Sequence, residues 1–295
     1  MFIGENEQQP LKECVMIEVS MFHHIINDLD IFLGPQKLYS VTSQELEKYL
    51  KHRSDYQNTV NNFDIENDKG KLITFDDGYR NNLEALPLLE KYNAKAIIFI
   101  TTGFIDREAY PYEIELAQAI EKFDSLRLRD ISEVSLKNEE RKVQVYNRLR
   151  EPLKKSTFEE KERFMNELAE LNNYKRRSCQ TERFLSWDEI VRLDENPLIT
   201  IGAHTITHPV LTEQSMWTVY YEMRKSKKRI EEKLGHKIYH FSYPYGANNF
   251  VVRNLARLSG FKYGFTTKKR LIKRRPNLMA LPRIEIKNLL KQLGN

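Results

Sequence analysis

Short apolar runs and amphipathic stretches alternate along most of this chain. Cys14–Phe22 (CVMIEVSMF), Lys71–Phe75, Lys95–Thr101, Ile199–Ala203, Ile238–Tyr243 and Tyr263–Thr267 have strand length and are bounded by polar or turn-forming residues. Between them, Ser43–Lys51, Asn82–Tyr92, Trp187–Leu193, Met216–Leu234 and Val251–Ser259 read as helices. Met216–Leu234 has apolar residues at the helical spacing of Met216, Val219, Tyr220, Met223 and Ile230. Gly235 follows, where a helix end favours a residue free to take a positive φ. Such strand–helix alternation predicts a parallel sheet, open or closed into a barrel. Reactive groups in these folds gather at the C-terminal ends of strands, so the residues just after each strand matter most.

The alternation is interrupted from about 103 to 182, a charged segment rich in Glu, Lys and Arg. Val143, Tyr146, Leu149 and Leu153 have helical spacing, and Thr157-Phe-Glu-Glu160 is a capping box opening a helix through Leu171. We expect a helical insertion within one catalytic domain spanning 1–295. With 40% hydrophobic and 30% charged residues the chain can bury a sizeable core. No window approaches the ~18–20 consecutive apolar residues of a membrane-spanning helix. The first twenty residues lack a basic stretch followed by a long apolar run, so a cytoplasmic location is expected. Cys14 and Cys179 stand in unlike contexts and form neither a disulfide framework nor a CxxC site.

Three strand ends carry chemistry. Lys71-Leu-Ile-Thr-Phe-Asp76-Asp77-Gly78-Tyr79 ends in adjacent carboxylates, which share a site only where the strand turns, as Gly78 permits. Two carboxylates together repel unless a cation is present; one on a metal and one moving protons resolves the conflict. Alone, the pair is more simply read as an acidic strand-end turn with helix-capping duty. Ile201-Gly-Ala-His204-Thr-Ile-Thr-His208-Pro209 places two histidines four apart, which share a face if the segment makes one helical turn. A lone HxxxH is weak, but with Asp77 it makes a three-ligand divalent site with open positions, a catalytic rather than structural pattern. In Phe241-Ser-Tyr-Pro-Tyr-Gly246, Pro244 fixes the backbone so that the Tyr245 N–H can face a developing oxyanion; the plainer reading is a Pro-Gly turn packed with tyrosines.

TFDDGY, HTITHP, YPYG and Tyr263-Gly-Phe-Thr-Thr267, in this order, resemble the polysaccharide deacetylase (NodB-homology) family over roughly 15–22 and 71–286. The resemblance implies a distorted (β/α) barrel that removes N- or O-acetyl groups from sugars. It implies a divalent metal, zinc first, with Co2+, Ni2+ or Mn2+ as alternatives. Asp76 matches the family's base, Asp77, His204 and His208 its metal ligands, and Tyr245 its oxyanion-binding main chain.

The chain departs from the family at two points. An arginine two residues before the third-motif proline is replaced by Ser242, and Leu281-Pro-Arg-Ile284 lacks the histidine that serves as general acid. Arg283 is the expected substitute for the missing cation beside Asp76. For the acid, His23 in Met21-Phe-His-His-Ile25 is the expected group, with neighbouring carboxylates raising its pKa and His24 pointing away.

The leading expectation is a metal-dependent N-deacetylase acting on an N-acetylated sugar, nucleotide- or lipid-linked, destined for a surface polysaccharide. Rivals are a deacylase of another small amide using the same metal, and a degenerate carbohydrate-binding protein. Six basic residues in Lys268–Arg275 (KKRLIKRR) could meet phosphate, a nucleotide-sugar diphosphate, nucleic acid or a membrane surface, or form a solvated loop. No aromatic residue interleaves there, so no nucleic-acid partner is expected.

Overall fold

The computed structural model describes residues 17–26, 40–52, 70–129, 131–176, 183–273 and 275–293. Both cysteines, the expected start of the first strand at Cys14 and Arg274 of the basic cluster lie outside these residues. In chain order the strands are β1 (Ile17–Phe22), β2 (His24–Ile25), β3 (Ser40–Val41), β4 (Gly70–Phe75), β5 (Ala96–Ile100), β6 (Ser125–Leu128), β7 (Ile131–Ser135), β8 (Ile199–Ala203), β9 (His240–Ser242), β10 (Tyr263–Phe265) and β11 (Ile284–Glu285). Seven of them form one parallel sheet in the order β10-β9-β8-β5-β4-β1-β11.

The sheet curls because its last segment serves both edges. Ile284 pairs with Ser20 of β1, while Leu281, three residues earlier, bridges to Phe265 of β10. Backbone bonds from Thr266 N to Leu281 O (2.8 Å) and from Leu281 N to Gly264 O (2.7 Å) fasten that contact. The result is the distorted (β/α) barrel expected from the sequence, with β11 an element that the apolar pattern did not reveal.

Strand alternation sorts the core into two faces. Val19, Leu72, Ile97, Phe99, Phe265 and Leu281 cluster inside the curl. Phe22, Ile73, Phe75, Ile98, Ile100 and Ile201 pack outward with helix residues such as Leu46, Leu89, Ile190 and Val219. Burial on both faces explains why these strands read as continuous apolar runs. Gly202 is required on the inner face: a Cβ there would lie 2.6 Å from the Phe99 ring.

The helices Ser43–Lys51 and Met216–Leu234 form with the expected bounds, and Gly235 takes φ 78°. The stretch expected as one helix over Asn82–Tyr92 is instead a 3-10 turn, Arg80–Ala85, followed by an α-helix, Leu86–Lys91. Pro87, lacking an N–H, cannot continue the α ladder back into the first turn.

The charged interruption connects β5 to β8, which are neighbours in the sheet. It holds the helices Tyr112–Lys122, Glu139–Lys155 and Phe158–Leu171 around a cluster that includes Leu116, Ile120, Tyr146, Met165 and Leu168. It is not purely helical as expected, since β6 and β7 pair antiparallel within it. Strands of four and five residues are too brief to stand out in a helical background.

Candidate active site

Above the apolar layer inside the curl, the alternation continues into a polar layer at the C-terminal strand ends. Thr74 and Asp76 follow Leu72 on the inner face of β4, and His204 follows Gly202 beyond β8. Arg283 enters from the closing segment and is fully buried. Its guanidinium grips Asp76 with two 2.7 Å bonds, from Nη1 to Oδ1 and from Nη2 to Oδ2. The other donors reach Ser242 Oγ (2.8 Å), Thr74 Oγ1 (3.1 Å) and Thr266 O (3.1 Å). A buried planar fork satisfied in this way is the arrangement for which arginine is suited. Burial alone would raise the Asp76 carboxyl, but Arg283, assisted by His204, holds it well below the usual carboxylate range.

Asp77 cannot face the same site by alternation. It does so because Asp77 and Gly78 both take left-handed backbone conformations, φ 73° and 76°. The sequence pointed to Gly78 alone for this turn. His204 and His208 meet by a similar device and not by the helical turn expected. Residues 204–208 have no helical backbone. Thr205 (φ 69°) and His208 (φ 56°) are left-handed, and His208 N donates to Thr205 Oγ1 (3.1 Å). Such conformations cost roughly 1–3 kcal/mol each in non-glycine residues, so the surroundings must enforce them. Glu222 from the helix Met216–Leu234 does so, accepting from Ile206 N (2.7 Å), Thr207 N (3.0 Å) and Thr207 Oγ1 (2.7 Å).

Asp77, His204 and His208 each offer one ligand atom, all within 4.8 Å of one another. Nδ1 of His204 lies 2.7 Å from the Ser242 carbonyl oxygen, so it carries the proton and leaves Nε2 as a lone-pair donor. The Nε2 atoms of His204 and His208 stand 3.5 and 3.4 Å from Asp77 Oδ1, a buried oxygen that accepts no hydrogen bond. Burial lowers the pKa of both rings, and burial beside Asp76 raises that of Asp77. Two imidazoles that burial keeps neutral converge on a carboxylate oxygen that accepts no hydrogen bond, and a divalent cation there would offset the pull that raises Asp77.

Tyr245 lies in the turn Pro244–Gly246 after β9, also left-handed at φ 57°. Its ring packs 4.7 Å from that of His208, and its hydroxyl donates to Glu113 of the helix Tyr112–Lys122. Burial and the Glu113 carboxylate push the phenol pKa up, which keeps it a neutral donor.

His23 and His24 both line the cavity above this centre. The strand breaks at His23 between β1 and β2, so alternation does not turn His24 away as expected. The His24 ring lies tilted against that of Tyr79, centroids 3.7 Å apart, and His23 O accepts from Asn82 Nδ2 (2.7 Å). The expected rise in the His23 pKa is not found. Burial pulls it down to about 4, outweighing the upward pull of Asp76, and Arg283 and His204 add to the lowering.

Residues 65–264 match the family model described as polysaccharide deacetylase. The chain belongs to the polysaccharide deacetylase family. No curated protein matches its sequence. Among solved structures it resembles the Streptococcus pyogenes deacetylase PplD in complex with acetate, at 18% identity and TM-score 0.60, covering 95% of this chain and 99% of that one. It is also similar to BC0361, a polysaccharide deacetylase from Bacillus cereus (16% identity, TM-score 0.60, 95% and 69% covered). A third similar structure is IcaB from Ammonifex degensii (16% identity, TM-score 0.56, 95% and 98% covered).

The cavity of this deacetylase-family chain has a volume of about 600 Å³, and the sequence left half of its wall unread. Glu113, Tyr146, Arg150 and Lys154 come from the interrupting segment, and Lys269 from the loop after β10. Lys154 Nζ sits 4.7 Å from the Tyr245 ring centroid. Glu113, Arg150 and Lys154 are ordinary helix-surface residues by pattern, so no sequence signal separates them from a solvated face; Tyr146 reads as a buried helix position, and Lys269 belongs to the basic cluster.

Proposed function

We propose that this chain is a divalent-metal-dependent deacetylase that hydrolyses the N-acetyl group of a sugar, with zinc as the expected ion. The observation that carries the reading is the convergence of Asp77, His204 and His208 around an oxygen without a hydrogen bond. A bound ion would polarise the acetyl carbonyl and make its water more acidic. Asp76 serves as the base: Arg283 keeps it ionised, and its position beside His204 lets it take a proton from the attacking water. The Tyr245 main chain, held in its turn through the phenol–Glu113 bond, is the donor proposed for the developing oxyanion. The segment between β5 and β8 supplies the opposite wall, and we assign it to the same catalytic domain. The S. pyogenes deacetylase was solved with acetate, the product expected here.

Elemental analysis should find one divalent ion per chain, retained through dialysis. His204→Ala and His208→Ala should each lose it, and a chelator should stop acetate release from N-acetylhexosamines until zinc is returned. Full metal content in both variants would rule out this ligand set.

His23 is the group proposed to protonate the departing amine. Its ring is neutral at rest, so the proton that Asp76 takes from the attacking water must pass to His23 before the C–N bond breaks. His23→Ala should slow N-acetyl hydrolysis by ~10²-fold and activated acetyl esters much less, because their leaving group needs no proton. Equal slowing of both substrates would remove this role.

A further inference from the structure

The segment after β8, from His204 to Arg275, contains sixteen Lys and Arg against four Glu and no Asp. The chain as a whole carries only +5, so the rest is net acidic. Of the four acids, Glu222 braces the 204–208 loop, Glu231 bonds Lys227 and Lys237, and Glu232 pairs with Lys228. The fourth, Glu213, lies at the 3-10 turn Leu211–Glu213. This segment builds one continuous sector of the wall, since β8, β9 and β10 are successive neighbours.

Exposed apolar residues gather at one end of the same sector. Nine large apolar side chains are exposed among the described residues. Five of them are Met216 (64%), Trp217 (83%), Tyr221, Phe250 (71%) and Val251. All five lie in the first two turns of the helices Met216–Leu234 and Phe250–Leu258, which pack side by side. Each helix joins two parallel strands, so it must begin at the C-terminal edge of the sheet, where the cavity opens. Lys268, Lys269 and Arg270 leave β10 at that edge, and Lys225 follows Tyr221 by one turn, with Nζ 5.8 Å from its ring centroid. The first three residues of the basic cluster, Lys268–Arg270, therefore stand at the same edge as the apolar rim beside the cavity mouth, whereas Ile272 bridges Ile17 at the start of β1, at the opposite edge.

We infer that this rim docks on an anionic lipid bilayer, so that the sugar entering the cavity is one presented at a membrane surface. The docking stands on the rim alone; the identity of the sugar rests on the deacetylase reading. Trp, Phe, Met and Val inserted at the headgroup boundary, flanked by Lys and Arg facing anionic lipid, form an interfacial anchor. A glycan platform would use the aromatic faces but has no use for Met216, Val251 and the excess positive charge. No described helix is long and apolar enough to cross a membrane.

Co-sedimentation with phosphatidylcholine vesicles, with and without phosphatidylglycerol, tests the docking. The full chain should pellet only with phosphatidylglycerol, should be released by salt, and should show a blue-shifted Trp217 emission on binding. Trp187, whose Nε1 donates to Asp106 (2.7 Å), should contribute no change. The double variants Trp217→Ser/Phe250→Ser and Lys225→Glu/Lys228→Glu should each lower vesicle partitioning by about tenfold. Both should still release acetate from a soluble N-acetylated sugar at the unmodified rate. Failure to bind phosphatidylglycerol vesicles, or binding untouched by both variants, overturns the inference. So does tighter binding to RNA than to vesicles, or a Trp217 shift with N-acetylglucosamine oligomers and none with vesicles. Vesicle binding without acetate release would instead defeat the deacetylase reading and leave the docking intact.

Discussion

Asp76→Asn is expected to cut acetate release by ~10³–10⁴-fold while leaving the divalent ion in place. Asparagine fills the same space and still offers one oxygen to Arg283, but it cannot accept a proton from water. Metal content should hold, because Asp76 Oδ2 lies 3.9 Å from His204 Nε2 and the three converging ligand atoms belong to other residues. Elemental analysis beside single-turnover acetate release measures both halves. If Asp76→Asn loses its metal as readily as Asp77→Ala, the division of labour between the two aspartates is wrong.

The second large effect is expected from Arg283→Met, in stability as well as rate. The substitution keeps a long apolar stem in the barrel interior but leaves the buried Asp76 carboxylate without its partner. Removing one member of a buried pair typically costs ~3–5 kcal/mol. In a chain of this size that lowers Tm by on the order of 10 °C. The direction with pH follows from linkage. A carboxyl held below its unfolded value contributes stability above the ordinary carboxylate range and loses it as pH falls toward the depressed value. Without Arg283, burial is the largest remaining influence on Asp76 and acts upward, so that contribution disappears. The acid limb of the pH–rate profile should move up with it. Arg283→Lys should recover part of the charge but not the two-pronged grip, and so fall between the two. A folded Arg283→Met protein with an unmoved acid limb would show that the guanidinium does not set the ionisation of the base.

Four of the eight non-glycine residues with positive φ among the described residues are Asp77, Thr205, His208 and Tyr245. No side-chain pattern reports such backbone states. The HxxxH spacing was therefore visible while the helical turn inferred from it was not what forms. The spacing signals that two rings meet; the left-handed turn braced by Glu222 is how they meet. Arg283 illustrates a different limit. Its sequence neighbourhood, Leu281-Pro-Arg-Ile284, is too short and mixed to read as a strand. Only the gap at Ser242 suggested that a cation had to arrive from elsewhere.

By itself the sequence determined the parallel βα order and the gathering of Asp76, Asp77, His204 and His208 at strand ends. These follow from short apolar runs bounded by turn residues and from a helical period near 3.6, which depend only on local backbone geometry. Its four ordered motifs likewise specified the family. The tertiary structure decided the rest: closure of the sheet by Leu281–Glu285, delivery of Arg283 to Asp76 and Ser242, and the wall of Glu113, Arg150 and Lys154 facing Tyr245. It also decided that the apolar starts of two distant helices share one rim. Each of these joins residues far apart in the chain, and such contacts are set by how whole elements pack rather than by any local pattern along the sequence.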